Sequence, residues 1–190
     1  MKQLILASTS VYRQDLLKRL GLDFKAQAPG IDEDSEKNST FEPRKLAEHL
    51  ACLKARSLAR PEAVVIGGDQ LVNFQGKILG KPGTAMVAME QLKAMSGHSH
   101  DLITAVCINS SEGEIIITNI TRMTLRTLTQ DEIQRYVLKD QPLDCAGAYK
   151  IEKLGITLME KIETEDFTAI QGLPLMKLAQ ALRQKGFHLP

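Results

Sequence analysis

Residues 100–109 and 114–128 are two long strand-like runs, separated only by the turn-forming cluster Ser110-Ser111-Glu112-Gly113. Earlier in the chain, strand and helix patterns alternate. A long hairpin in the middle of such an alternation points to a mixed α/β fold on one long, partly antiparallel sheet, not a doubly wound parallel one. In the second run Ile115, Ile117, Asn119 and Thr121 alternate with Ile116, Thr118 and Ile120, which predicts one wetter face.

Around this hairpin the other elements follow from local pattern. Leu4-Ile5-Leu6-Ala7 reads as a short buried strand, and Leu16, Leu17 and Leu20 give helical spacing over residues 11–20, closed by Gly21. A second strand is expected over residues 23–28, then a polar loop over 31–40. Pro43 opens a helix to residue 59. Residues 63–66 form a β-branched strand that is expected to stop in a turn at Gly67-Gly68-Asp69-Gln70. Gln75-Gly76 joins a hairpin between residues 71–74 and 77–79. Residues 84–95 read as a helix with a core stripe of Met86, Met89, Leu92 and Met95, and Thr129-Gln130-Asp131-Glu132 is a capping box opening the next helix. Residues 143–158 read as loop and strand, and residues 173–185 as a last helix stopped by Gly186.

The length, 190 residues, suits one domain or two closely packed lobes. With 24 basic and 23 acidic residues the net charge is +1, so no basic surface advertises a nucleic-acid partner, although a small anion needs only a few local cations. No apolar run approaches the ~18 residues of a membrane span, and neither a membrane partner nor a signal-peptide core is expected. Cys52, Cys107 and Cys145 are odd in number and widely spaced, which fits three reduced, buried thiols in a cytoplasmic protein. No CxxC, GxGxxG, GxSxG or Walker A pattern occurs.

Polar residues follow apolar strands at three places, where α/β proteins bind ligands. Ser8-Thr9-Ser10 with Arg13 can grip a phosphate at a helix mouth, or Ser10 can simply cap that helix. Asp69 in Gly67-Gly68-Asp69-Gln70 can hold a divalent cation or activate a water, or belong to an ordinary turn. Lys81 in Gly80-Lys81-Pro82 is placed either for phosphate or for solvent. His98 and His100 lack a nearby third ligand and argue only weakly for a metal. With Asp32, Glu33 and Lys54, this set of cations and acids suits metal-assisted phosphoryl chemistry.

Taken in order, these stretches resemble the Maf-like nucleotide pyrophosphatases over essentially the whole chain. The matching segments are LILASTSxxR, Gly30-Ile31-Asp32-Glu33, Leu53-Lys54-Ala55, Ile66-Gly67-Gly68-Asp69-Gln70, Gly80-Lys81-Pro82, Ser96-Gly97, Pro142-Leu143-Asp144-Cys145-Ala146-Gly147-Ala148-Tyr149 and Gly172-Leu173-Pro174-Leu175. The resemblance implies a single Maf-like domain over residues 1–190. It also implies an inosine-triphosphatase-like fold, a long mixed β-sheet flanked by helices that form two lobes around a cleft, and a possible homodimer. The activity it implies is hydrolysis of a nucleoside triphosphate to monophosphate and pyrophosphate, with a divalent metal cation such as Mg²⁺ or Mn²⁺. Under it Ser8, Ser10, Arg13, Lys54 and Lys81 cradle the triphosphate, while Asp69 and Glu33 handle metal and water, Asp69 being the better general base.

Within the family one branch, acting on dTTP and UTP, carries Asp-Thr after the central strand and a late Gln. Here Asp69-Gln70 and Tyr149-Lys150-Ile151-Glu152 stand instead, like the branch that hydrolyses 7-methyl-GTP. Methylation at N7 leaves guanine cationic, which favours an aromatic face and a carboxylate, here Tyr12 and Glu152. The resemblance also places Gln70 and Lys150 among the substrate-binding residues. The chain departs from the family at Ser10-Val11-Tyr12, where Ser-Pro-Arg or Ser-Pro-Trp is usual. That removes a pre-set helix entry and shifts phosphate grip onto Arg13, Lys54 and Lys81. Two alternatives accompany this reading: dTTP/UTP specificity, and a nucleotide-binding regulator of cell division without turnover.

Overall fold

The computed structural model describes residues 2–33, 36 and 41–190. Most of the polar stretch expected as a loop over residues 31–40 lies outside the described residues. The elements are β1 (Gln3–Ala7), α1 (Val11–Lys18), β2 (Lys25–Gln27), α2 (Pro43–Ser57), β3 (Ala63–Phe74), β4 (Lys77–Leu79), α3 (Ala85–Met95), β5 (Ser99–Ser110), β6 (Gly113–Leu125), α4 (Gln130–Asp140), β7 (Met159–Glu163) and α5 (Leu175–Gln184). Short 3-10 turns occupy Ala146–Ala148, Leu154–Leu158 and Phe167–Gln171.

The strands form one mixed sheet in the order β2-β1-β3-β5-β6-β7, with β4 paired to β3. β1 runs parallel to both β2 and β3, whereas the β3–β4 and β6–β7 pairs are antiparallel. The mixed α/β fold expected from the hairpin is therefore the one observed. The chain divides into two compact units. The first comprises Met1–Gln70, Thr104–Asn119 and Asp166–Pro190, the second Leu71–Ile103 and Ile120–Glu165. β3, β5 and β6 contribute residues to both.

In the first unit, apolar residues of β1 (Leu4, Leu6), β3 (Val64, Ile66) and β5 (Val106, Ile108) pack with Leu16 and Leu17 of α1 and Leu178 and Leu182 of α5. The even-numbered positions of β3 thus face this core. Its odd-numbered positions face α2, whose Leu46, Leu50, Ala51 and Ala55 are buried. Side-chain caps hold the helix starts: Ser10 Oγ accepts from Arg13 N in α1, and Thr84 Oγ1 from Val87 N in α3. Thr129 and Glu132 form the reciprocal box expected at α4.

Four expectations need correction. β3 does not stop at Gly67; it runs on through Gly67-Gly68-Asp69-Gln70 to Phe74, because β1 pairs alongside it as far as Gly67 and β4 takes over at Val72. Met86 is 68 % exposed, so the methionine stripe of α3 is core only at its far end, where Met95 is buried. Cys145 is half-buried, unlike Cys52 and Cys107. The strand expected within residues 143–158 is absent, that stretch holding 3-10 turns, and β7 lies just beyond it at Met159–Glu163. On β6 the alternation holds, but the inward face is the one bearing Asn119 and Thr121, while Ile116 and Ile120 are exposed.

Candidate active site

The first unit gathers Arg13, Glu33, Lys54 and Asp69. Parallel pairing sets Ala7 at the end of β1 opposite Gly67 of β3, so Ser8 follows directly on one strand and Gly68-Asp69 on the other. A Cβ on Gly67 would lie 2.2 Å from the carbonyl oxygen of Ala51 and 2.5 Å from the amide nitrogen of Ala55. The glycine is there for close approach: it lets the α2 backbone rest on β3, which delivers Lys54, on the same stretch of helix, to Asp69.

Lys54 Nζ donates to Asp69 Oδ1 at 2.7 Å and pairs with Glu33 Oε1 at 3.0 Å. Lys54 and Asp69 are each 5 % exposed. A buried lysine shared by two carboxylates is stable only because both charges are compensated. Asp69 Oδ2 is also buried, yet it has no hydrogen-bond partner among the described residues. A buried carboxylate oxygen without a protein partner costs free energy, so it is an acceptor suited to a proton, a water or a cation. Two hard carboxylate oxygens, from Asp69 and Glu33, suit a divalent cation of the magnesium type.

Arg13, half-buried in the first turn of α1, donates Nε to Gly172 O at 3.2 Å. Burial pulls its guanidinium below the ordinary value, while the charges of Asp69 and Glu33 pull the other way. Its stem lies in a glycine cradle. A Cβ on Gly172, whose φ is +117°, would sit 3.2 Å from Arg13 Cγ, and one on Gly68 would sit 3.4 Å from Arg13 Nε. Ser8 is buried, and its Oγ accepts from Ser10 N at 3.1 Å. Ser10 is the cap of α1, so its structural role is realised whatever else its hydroxyl does.

Gln70 does something the sequence did not suggest. Its Nε2 donates to Thr104 Oγ1 at 2.8 Å, Ala169 O at 2.9 Å and Ile170 O at 3.2 Å. The amide therefore clasps the turn Phe167–Gln171 that leads into Gly172, and so into the carbonyl that holds Arg13. Asp166 completes the turn: Oδ1 accepts from Thr168 N and Oγ1, and Oδ2 from Met176 N. Thr104, Asp166 and Gly172 had not been singled out as site residues. The Gly172-Leu173-Pro174-Leu175 segment was the only sign of them.

In the second unit Lys81 is exposed on the loop after β4. That loop is anchored by Gln91 Nε2 donating to Gly80 O and by Gly83 N donating to Leu143 O. Lys150 is buried, with Nζ on Gln141 O at 3.1 Å and Asp144 Oδ1 at 3.0 Å, so its charge already serves the fold. Glu152 is exposed on a tight turn, where Lys153 N and Gly155 N both donate to Lys150 O. A Cβ on Gly155 would come within 2.4 Å of that same carbonyl oxygen, so glycine is required there. Tyr12, in the first turn of α1, is half-buried.

A carboxylate with one oxygen on a buried lysine and the other unused, flanked by a cradled arginine, is an arrangement for hydrolytic phosphoryl chemistry. The family described as Maf-like protein matches residues 3–185, and the chain belongs to it. A protein of Bdellovibrio bacteriovorus named 7-methyl-GTP pyrophosphatase is 57 % identical over 181 residues, 95 % of this chain and 96 % of that one. Its namesake from Xanthomonas oryzae pv. oryzae is 47 % identical over 192 residues, covering all of both chains. One from Aromatoleum aromaticum is 45 % identical over 99 % of this chain and 98 % of that one. A solved structure of a HAM1 protein from Coxiella burnetii aligns with 97 % of this chain and 100 % of that one, at 14 % identity and TM-score 0.46. Among the described residues no helix is long and apolar enough to cross a membrane.

Proposed function

We propose that this chain hydrolyses 7-methyl-GTP to 7-methyl-GMP and pyrophosphate, clearing a modified nucleotide from the cytoplasmic pool. The observation that carries the chemistry is the buried Oδ2 of Asp69, beside Lys54 and without a hydrogen-bond partner among the described residues. The substrate follows from the relatives' names and from the residues Asp69-Gln70 and Glu152.

In this reading Oδ2 of Asp69 takes the proton of the attacking water, and the bond between the α- and β-phosphates breaks. Lys54 holds the Asp69 carboxylate in orientation through Oδ1. Arg13 and the hydroxyls of Ser8 and Ser10 bind phosphate oxygens, and Lys81 adds a further cation. A divalent cation, when bound, neutralises phosphate charge, and Asp69 and Glu33 are the residues that would hold it. Glu152 offers a carboxylate to the cationic methylated base, and Tyr12 an aromatic face. Gln70 acts through the turn it clasps and not by touching the base. Lys150 can reach substrate only by giving up Asp144 and Gln141.

The test is pyrophosphate release from 7-methyl-GTP, GTP, dTTP and UTP with Mg²⁺. Preference for 7-methyl-GTP is expected. Preference for dTTP or UTP would overturn the substrate and spare the chemistry; binding without release would overturn the enzyme.

A further inference from the structure

A second cluster of ligating side chains lies in the first unit and plays no part in the chemistry above. Cys52 of α2, Cys107 of β5 and Glu114 of β6 bring two sulfurs and a carboxylate oxygen within 4.8 Å of one another. Cys52 is 4 % exposed and Cys107 fully buried. Glu114 lies at the surface, where Arg56 Nε and Nη2 meet its two oxygens at 2.7 Å each and Asn109 Nδ2 donates to Oε1 at 2.8 Å. The thiols therefore sit just beneath an ion pair that faces solvent.

We propose that Cys52, Cys107 and Glu114 form a binding site for zinc or a comparable thiophilic divalent ion. Two thiolates and one carboxylate are a donor set for zinc and a poor one for magnesium, so the site selects a different ion from the Asp69 and Glu33 oxygens. Ligands about 2.3 Å (sulfur) and 2.0 Å (oxygen) from a tetrahedral zinc lie roughly 3.5–3.8 Å apart, so side-chain rotations suffice to close the observed spacing. Three protein ligands leave a fourth position for water. To ligate, Glu114 gives up or shares one arm of its two-point pair with Arg56, whose side chain is more than half exposed.

The two thiols differ in acidity. Hydrogen bonding from Cys107 draws Cys52 below the ordinary thiol value, opposed by burial and aided by the charge of Arg56. Cys107 is held correspondingly high by the same hydrogen bond and by burial. Binding releases the thiol protons to solvent, so affinity rises with pH. The ion would tie α2, the helix that carries Lys54, to β5 and β6.

The experiment is a titration of the reduced, intact protein with Co²⁺, without nucleotide. Expected is a thiolate-to-cobalt charge-transfer band that saturates at one equivalent and is bleached by Zn²⁺. The band is expected to persist in Asp69→Asn, to disappear in Cys52→Ser and in Cys107→Ser, and to weaken in Glu114→Gln. Zn²⁺ should raise the thermal midpoint of the wild type but not of the serine variants. No thiolate band in the wild type at excess metal would overturn the proposal, whatever the variants' folding. So would a band that survives both serine substitutions, since Cys145 would then be its source.

Discussion

Asp69 and Glu152 are both acids assigned to one reaction, but their settings differ at every level. Asp69 lies inside a strand, 5 % exposed, with Lys54 on one oxygen and no partner among the described residues on the other. Its position is enforced by backbone: Gly67 lets α2 rest on β3, and Gly68 and Gly172 enclose Arg13 nearby. Glu152 stands in solvent on a turn closed by two donors to Lys150 O. The first setting is built for strength, where low dielectric magnifies each charge. The second suits the proposed reading of the base, since an exposed carboxylate adds a modest preference for a cationic ring and costs little to keep.

That contrast can be broken most directly at Asp69. Asp69→Asn is expected to lower kcat roughly 10²- to 10⁴-fold for every nucleotide, leaving substrate ratios unchanged. Steady-state pyrophosphate release measures it, and a change in ratios would mean that Asp69 also reads the base. Next comes the backbone contact. Gly67→Ala should cost roughly 3 kcal/mol of stability in urea unfolding, because its methyl group meets main-chain atoms that cannot turn aside.

Among the buried polar contacts of the second unit is His100 Nε2 with Tyr149 Oη at 2.9 Å. Burial pushes His100 down to about 4 from its ordinary 6.5. The unfolded chain therefore takes up a proton before the folded one does, and stability present above pH 6.5 is lost as pH falls toward 4. The loss is of order 3 kcal/mol at the acid end. Urea midpoints from pH 7 to 4 should show a steeper decline for wild type than for His100→Gln.

Gly172→Ala tests the arginine cradle. It should lower kcat/KM about 10²-fold by displacing Arg13, with a smaller effect on unfolding. An equal loss of stability would reduce Gly172 to a purely structural glycine. Glu152→Gln should change least: rates on GTP nearly constant, and the preference for 7-methyl-GTP reduced about tenfold, in line with one charge–cation contact. A loss on all substrates alike would erase the distinction between the two carboxylates.

The sequence disclosed what local chemistry decides. Ser10 and the Thr129–Glu132 box announced helix starts, and Gln75-Gly76 announced a turn in which both residues take positive φ, 51° and 80°. Arg13 and Asp69 were also legible, as polar groups following strands, whereas Lys54 and Glu33 entered only through the inventory of charges and the family resemblance. What was not legible was decided by neighbours distant in the chain. Gly67-Gly68 looked like a turn because glycine commonly turns, yet neither has positive φ; the strand needs them bare because α2 and Arg13 press against it. Gln70 read as a substrate-binding residue because nothing local showed that Ala169 and Ile170 would offer it two carbonyls.

Gly67-Gly68-Asp69-Gln70 alternates across the sheet. Gly67 and Asp69 face α2, while Gly68 and Gln70 face Arg13 and the turn before Gly172. Deleting or inserting one residue upstream in β3 would therefore do more than shift a hydrophobic pattern. It would send the carboxylate to the arginine side and the amide to the lysine. The tetrad works as a reading frame for the strand, with each letter legible from one side only, and evolution can lengthen the loops around it far more freely than it can move this frame by a single step.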